Sequence, residues 1–324
     1  MENCGAIHFC STQSDDFFLQ CPVTSGVNVF RSSPFHQVMA CIPESRVSIA
    51  TLTGNLLFAA PGITDRTLSS ARRVDIYNAE SSTSLGSLDI PTSEGGITHL
   101  YATAQRLVVF TTCEVFCFDP INRLHDVKPT CVKWKETNVF AVCPQFVALP
   151  GLQPHGAEGY YLCHVLCLPT LETHLVLPTK HTKPLAALSL SADGAKVATV
   201  SSGGTVVRVW STSDGTLLHV LRRGMWRVQV NSLTFGGDKG TVLALHSDHG
   251  TIHVFDVSTA AVTSSGTEVP EQRAKYTWEV RNVTYAQLSW DAVGDVLRVA
   301  TPDGWMRYYE ASTQKLCGEA KFIK

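Results

Sequence analysis

Two adjacent arginines, Arg222 and Arg223, stand between Leu221 and Gly224. Each guanidinium presents a planar fork of N–H donors that suits the oxygens of a phosphate. The preceding residues read as a strand, and successive strand residues point to opposite faces. We therefore expect the doublet at the end of an outer strand, with one arginine directed toward each of two neighbouring sheets. Taken by itself, such a pair also fits a solvated strand end.

Polar residues recur at matching places in the two stretches that flank the doublet. The stretch before it contains His181, Thr199, Ser201, Thr205 and Arg208. The stretch after it contains Ser247, Thr251 and His253. One extra residue in the first stretch predicts a β-bulge that returns Arg208 to the face of Thr205. Each half then offers hydroxyls, a cationic or imidazole donor and one arginine, a set suited to two small polyphosphate headgroups.

Other spacings bear on metal binding and catalysis. Two cysteine pairs are four residues apart, Cys113 with Cys117 and Cys163 with Cys167. On strands this spacing separates them by roughly 13 Å, too far for one Zn²⁺ at about 2.3 Å per sulfur. The run His246, His249 and His253 lacks a convincing further ligand. There is no G-x-S-x-G, P-loop or G-x-G-x-x-G, so we predict no metal, no cofactor, no catalytic residue and no enzyme activity.

Composition narrows the class of protein. The 324 residues are 44% hydrophobic, which excludes wholesale disorder, and only 17% charged, which disfavours a long coiled coil. A net charge of -2 disfavours a nucleic-acid binder. The opening MENCGAIHF lacks a signal-peptide pattern, and the apolar run 160–171 is too short to span a bilayer. We expect a cytoplasmic protein without a transmembrane segment, whose 11 cysteines are mostly small core residues.

A short pattern repeats along the chain, with an alternating strand that ends on an aromatic or apolar residue. Its equivalent positions are Phe30, Tyr77, Phe118, Leu166, Trp210, Phe255 and Tyr308. The gaps of roughly 41 to 53 residues match the period of propeller blades. The segments between them also read as short strands bounded by Gly and Asp turns. The sequence therefore predicts an all-β, WD40-like, seven-bladed β-propeller with four antiparallel strands per blade.

We expect the propeller to be one domain over residues 1–324, because each blade buries its faces only against its neighbours. Two segments exceed the repeat. The longer is a loop insertion in blade six at about 258–275, rich in Ser, Thr, Ala and Glu. The other is an insertion in blade two at 60–72. An insertion as long as the first is usually functional or disordered.

The stretch HTKPLAALSLSADGAKVATVSSGGTVVRVW, the LRRG that follows it and HSDHGTIHVF closely resemble the PROPPIN family of WIPI-type propellers. The family signature is Phe-Arg-Arg-Gly, and Leu221 here replaces the Phe. The resemblance implies a non-catalytic phosphoinositide effector in autophagy and in endosomal or vacuolar traffic, acting as a recruiting scaffold. It also implies binding to membranes that carry phosphatidylinositol 3-phosphate and the 3,5-bisphosphate. The alternative is a scaffold that binds only proteins and has degenerate lipid pockets.

The resemblance also assigns residues to two pockets. Site 1 would comprise His181, Thr199, Ser201, Thr205, Arg208 and Arg222. Site 2 would comprise Arg223, Ser247, Thr251 and His253. Met225 and His246 depart from the family pattern near site 2. Site 2 relies on imidazole, whose ordinary pKa is about 6.5 and would be raised by a bound anionic headgroup. We therefore expect it to be the weaker site at neutral pH and to tighten toward pH 6.

Similar proteins dip the blade-six loop into the bilayer, but this loop offers little beyond Val262 and Val269, so it could anchor only weakly. Trp226 could add an interfacial aromatic or pack in the core. The resemblance also implies peripheral residence on autophagosome precursors and on endosomal, vacuolar or lysosomal membranes. A partner of the autophagy lipid-transfer type is a further implication, with 60–73 as a candidate surface.

Overall fold

The computed structural model describes residues 6–11, 16–21, 26–32, 35–41, 47–61, 70–92, 94–119, 121–125, 128–134, 139–237, 239–259, 269–280, 283–291 and 293–322. Within these ranges the chain forms 29 strands and two short 3₁₀ helices, Ser70–Arg72 and Ile121–Arg123, and no α-helix. No helix in the described ranges is long and apolar enough to cross a membrane. The strands form seven sheets, numbered here as blades one to seven along the chain.

The chain divides into two compact units. The first consists mainly of Met1–Thr137 and contains blades one to three. Its strands are β1 (Ala6–Ser11), β2 (Asp16–Cys21), β3 (Val27–Ser32), β4 (Phe35–Cys41), β5 (Val47–Thr53), β6 (Leu56–Pro61), β7 (Arg73–Asn78), β8 (Ser84–Asp89), β9 (Ile97–Ala102), β10 (Leu107–Thr111), β11 (Glu114–Phe118) and β12 (Thr130–Lys133).

The second unit consists mainly of Asn138–Leu168 and Glu172–Phe322 and contains blades four to seven. The strands of blades four and five, in chain order, are β13 (Ala141–Val142), β14 (Phe146–His155), β15 (Tyr160–Cys167), β16 (Thr173–Pro178), β17 (Leu185–Leu190), β18 (Lys196–Ser201), β19 (Val206–Ser211) and β20 (Leu217–Arg222). The remaining strands are β21 (Val230–Gly236), β22 (Val242–Ser247), β23 (Thr251–Asp256), β24 (Glu271–Arg273), β25 (Tyr276–Glu279), β26 (Gln287–Trp290), β27 (Val296–Ala300), β28 (Trp305–Glu310) and β29 (Lys315–Lys321).

Apart from β24, the strands of each blade are antiparallel and follow one another in chain order, which is the β-propeller architecture predicted from the sequence. The seven repeat positions all fall on the third strand of a blade, namely β3, β7, β11, β15, β19, β23 and β28. The repeat therefore marked one strand of every blade. The prediction of a single domain over 1–324 stays a prediction.

The apolar core lies between neighbouring blades within each unit. Between blades five and six, Val200 and Leu221 pack with Leu243, Leu245 and Phe255, all of them fully or almost fully buried. Because both faces of a blade are covered, its inner strands read as nearly continuous apolar runs. Within such a strand, a polar side chain needs hydrogen-bonding partners.

Blade five departs from the predicted four antiparallel strands. Strand β24 joins it as a fifth strand and runs parallel to β20, with Val220 opposite Glu271 and Arg222 opposite Arg273. The C-terminal part of the 258–275 insertion is therefore a strand rather than a loop, and β20 is not the outermost strand. Residues 260–268 of this insertion and 62–69 of the blade-two insertion lie outside the described residues.

Candidate functional site

Two strand hairpins position the polar residues of the candidate site. In blade five, Thr199 on β18 lies opposite Arg208 on β19, and opposed residues of an antiparallel pair share a face. In blade six, Leu245 on β22 lies opposite His253 on β23. Arg208 and His253 therefore occupy matching places in the two blades.

The expected β-bulge between Thr205 and Arg208 is wrong. The pairing of β18 with β19 is regular from Lys196 to Val200. Six residues, 201–206, lie between the paired Val200 and Val207, whereas five, 247–251, separate the paired residues of blade six. The turn thus absorbs the extra residue, because a turn can lengthen without breaking the ladder.

His181 connects Arg208 to the strand beside it. The Nη1 of Arg208 donates to Nδ1 of His181 over 3.0 Å. Since the arginine is always a donor, Nε2 carries the imidazole proton and donates toward Oγ1 of Thr199 at 3.2 Å. Trp210 Nε1 donates to the same hydroxyl, also over 3.2 Å. The four side chains form a hydrogen-bonded row that ends on the guanidinium of Arg208.

The residues of site 1 differ in burial and therefore in role. Thr199 has no exposed surface and His181 only 4%, and burial together with the charge of Arg208 lowers the pKa of His181 to about 3. Both side chains are therefore buried supports of Arg208 and do not face solvent. Ser201 and Thr205 are half-buried, as is Arg208. Partial burial lowers the pKa of the Arg208 guanidinium from its ordinary value.

Arg222 is paired with Glu271 of β24. Its Nε donates to Oε2 over 2.6 Å, and its Nη2 donates to Oε1. These hydrogen bonds hold the pKa of Glu271 below its ordinary value, and the positive charges of Arg222, Arg208 and Arg273 act in the same direction. One carboxylate is thus placed within the field of three guanidinium groups.

Arg223 takes different partners. Its Nε donates to the carbonyl of Gly204 over 3.0 Å, and its Nη2 contacts the carbonyl of Trp226. Its charge acts on Asp248 and His253 of blade six. The two arginines of the doublet therefore serve separate groups, Arg222 the row of blade five and Arg223 the row of blade six.

The row of blade six is built from shorter side chains. Ser247 Oγ lies 3.4 Å from Thr251 Oγ1, which lies 3.3 Å from Nε2 of His253. Ser247 is fully buried, while Thr251 and His253 are half-buried. No tryptophan or second arginine takes part in the hydrogen bonds of this row, so within the described residues its charge comes from Arg223.

The pKa of His253 bears on the pH dependence expected of site 2. Burial, and next the charge of Arg223, lower the pKa of His253 to about 4. A histidine with a lowered pKa stays neutral down to that lower value, so His253 of the free protein is neutral at pH 6 as well as at pH 7. A bound anionic headgroup would raise the pKa of His253 and tighten site 2 as the pH falls toward that raised value, so the tightening toward pH 6 stays a prediction.

His246 and His249 do not join the row. His246 is fully buried, and among the described residues neither of its ring nitrogens has a hydrogen-bonding partner. Its neighbour His249 is exposed. Within the described residues, no group of three or more His, Cys, Asp or Glu lies close enough to hold a metal ion.

Sequence reasoning missed Glu271 and the role of Trp210. Glu271 lies 49 residues from Arg222 and reaches it only because β24 crosses to blade five. No spacing rule connects the two. Trp210 was recognised as a repeat position, and its indole N–H could have been matched to Thr199, which lies on the neighbouring strand.

Fold and site together define a β-propeller that gathers guanidinium groups and hydroxyls at blades five and six. The PROPPIN family model matches residues 162–298, the part of the chain that contains both rows. The resemblance to the PROPPIN family is thus confirmed.

Relatives with similar sequences agree with this resemblance. The protein named Autophagy-related protein 21 of Pichia angusta is 25% identical over 257 residues, covering 77% of this chain and 65% of the relative. Autophagy-related protein 18 of Mycosarcoma maydis is 28% identical over 256 residues, covering 73% and 56%. The chain therefore matches less than two thirds of the length of these relatives.

Two solved structures have the same fold at 16% identity. Kluyveromyces lactis Hsv2 superposes with a TM-score of 0.75 and covers 98% of both chains. A complex of KlAtg21 with the coiled-coil of AgAtg16 gives a TM-score of 0.80 and covers 99% of both chains.

Proposed function

We propose that the chain is a non-catalytic phosphoinositide effector that binds phosphatidylinositol 3-phosphate and the 3,5-bisphosphate on membranes. The observation that carries the proposal is the position of Glu271 among Arg208, Arg222 and Arg273. A phosphate carries more charge than a carboxylate and offers three acceptor oxygens. A headgroup phosphate that replaces Glu271 beside Arg222 would gain more from the same guanidinium groups.

Two headgroups can be accommodated because the doublet diverges. Site 1 would use Arg208 and Arg222 for charge, with Ser201 and Thr205 at the edge and His181 and Thr199 as supports. Site 2 would use Arg223 for charge, with Thr251 and His253 at the edge and Ser247 beneath them. Two weak sites on one rigid support bind a membrane far more tightly than either site alone.

The relatives support a role in autophagy, since two of them carry that word in their names. We extend the proposal to peripheral residence on autophagosome precursors and on endosomal, vacuolar or lysosomal membranes. A protein partner is part of it, and the solved complex of a similar fold with a coiled-coil supports recruitment of other proteins. A partner of the lipid-transfer type stays a prediction.

Flotation with a panel of vesicles tests the proposal. The protein should float with phosphatidylcholine vesicles that contain the 3-phosphate or the 3,5-bisphosphate, and binding should weaken as salt rises. It should not float with vesicles whose negative charge comes from phosphatidylserine alone, because the net charge of the chain is -2. Failure to bind any phosphoinositide would favour the alternative, a scaffold that binds only proteins.

Glu271→Gln should increase the affinity for vesicles that carry the 3-phosphate. The substitution removes a charge that competes with the headgroup for Arg222. Because Arg222 and Glu271 are 34% and 46% exposed, water screens their attraction, and we expect a gain of about two- to fivefold. Vesicle titrations with the parent and the variant measure it.

Glu319→Gln is the matched control, because Glu319 is also half-exposed and also paired with an arginine, Arg307. Its affinity for vesicles should equal that of the parent. A lower affinity of Glu271→Gln would show that Glu271 positions Arg222 and does not compete with the headgroup.

A further inference from the structure

The segment between β20 and β21 places two large apolar side chains in solvent. Met225 is 87% exposed and Trp226 is 81% exposed. Among the described residues these are the two most exposed large apolar side chains, and Val293 at 72% comes next. Trp226 therefore does not pack in the core, the alternative that the sequence left open.

The segment is held firmly at both sides of this pair. Before it, the backbone N–H of Arg223 donates to the carbonyl of Thr205 over 2.9 Å, and the side chain of Arg223 reaches the carbonyl of Trp226. After it, Val228 is buried in the core between blades five and six. The exposure of Met225 and Trp226 is thus fixed by the fold around them.

Basic residues surround the apolar pair. Arg222 and Arg223 precede it in the sequence, Arg227 follows it with an exposed side chain, and Arg273 lies opposite Arg222 on β24. The acidic groups Glu271 and Asp248 lie near the doublet. An apolar pair surrounded by basic residues is complementary to the surface of a lipid bilayer, where negatively charged headgroups cover apolar acyl chains.

We propose that Met225 and Trp226 enter the interfacial layer of the bilayer while Arg222 and Arg223 hold the headgroups. This inference rests on the proposed function, since the arginines would bring the pair to the membrane. Tryptophan is favoured at the level of the lipid headgroups, and methionine adapts to an irregular apolar surface. The anchor is then the segment that follows the doublet, and the weakly apolar 258–275 insertion is not required.

A comparison of vesicles with a soluble headgroup tests the inference. The double variant Met225→Ser with Trp226→Ser should bind vesicles containing phosphatidylinositol 3-phosphate about tenfold or more weakly than the parent. Its affinity for soluble inositol 1,3-bisphosphate, measured by calorimetry, should be unchanged. Val293→Ser removes a comparably exposed apolar side chain elsewhere and should change neither affinity.

The outcomes separate the two proposals. If the parent binds neither the vesicles nor inositol 1,3-bisphosphate, the proposed function fails. If the parent binds both and the double variant binds vesicles equally well, the bilayer contact is wrong and the pair is a surface for a protein. Loss of binding to both probes by a variant that remains folded would mean that the pair supports the headgroup sites, which also overturns the inference.

Quenching gives a direct second measurement. Vesicles with bromine-labelled acyl chains should quench the fluorescence of the parent more than that of Trp226→Phe, which lacks only this indole. Equal fractional quenching of the two proteins at saturating vesicle concentration would place Trp226 outside the bilayer and contradict the inference.

Discussion

We expect the double variant Arg222→Thr with Arg223→Thr to lose its affinity for vesicles carrying phosphatidylinositol 3-phosphate by about a hundredfold or more. Each guanidinium supplies charge-assisted hydrogen bonds of roughly 1.5 to 3 kcal/mol to an anionic oxygen. The substitution removes the charged group from both rows at once, because Arg222 serves blade five and Arg223 serves blade six. Vesicle titration monitored by flotation measures the loss.

The fold should survive this change. The ion pair of Arg222 is partly solvent-exposed, and exposed pairs contribute about 0 to 1 kcal/mol to stability. Arg73→Thr is a matched control, because Arg73 is exposed and its Nε is paired with Asp75 at 2.6 Å. It removes one arginine from an ion pair far along the sequence and should leave vesicle binding unchanged. Unaltered flotation of a folded double variant would sink the lipid proposal.

Gly204→Ala should reduce the free energy of unfolding by about 2 to 4 kcal/mol. Gly204 has a φ of +65°, which side chains other than glycine adopt only with strain, and a Cβ there would lie 2.3 Å from the carbonyl oxygen of Val228. The backbone at Gly204 or at Val228 must therefore move. Because Gly204 also accepts the hydrogen bond of Arg223, the movement should weaken vesicle binding as well. Urea unfolding measures the first effect and flotation the second.

Two other glycines separate the cost of the positive φ from the cost of the contact with Val228. Gly54 has a φ of +52° and nothing within 4 Å of a Cβ, so Gly54→Ala should carry only the conformational cost of about 1 kcal/mol. A Cβ at Gly224 would meet nothing within 4 Å, and its φ lies outside the left-handed region, so Gly224→Ala should be nearly neutral. If Gly54→Ala and Gly204→Ala cost the same, the contact with Val228 does not constrain the segment.

The propeller was predictable because its signal is local and repeated. Strand alternation and a turn recur in each blade, so the repeat at Phe30 is supported by the equivalent repeats at the other six positions. The match of Arg208 with His253 was also predictable, since it needs only the equivalence of two blades. The β-bulge that was expected to produce this match was wrong, because the number of residues does not say whether a turn or a strand contains the extra one.

Two features of the site depend on tertiary placement and could not be predicted. Glu271 lies in an insertion that reads as a loop, and only the crossing of β24 to blade five brings it to Arg222. The pKa of His253 depends on how deeply the packed blade covers the ring, and residue type alone suggests the ordinary value. Both features change the charges expected at the two sites, but they do not change which residues were assigned to the sites.

The pairing of β24 also decides how blade five ends. An unpaired β20 would offer the backbone groups of Val220–Arg222 to a strand from another chain, the usual start of edge-to-edge aggregation. β24 covers that edge and is itself only three residues long, with exposed charged side chains at Glu271 and Arg273. Short, charged edge strands discourage further pairing. A headgroup that displaced Glu271 without detaching β24 would leave the edge of β20 covered. Membrane binding would then not increase the tendency of the protein to self-associate.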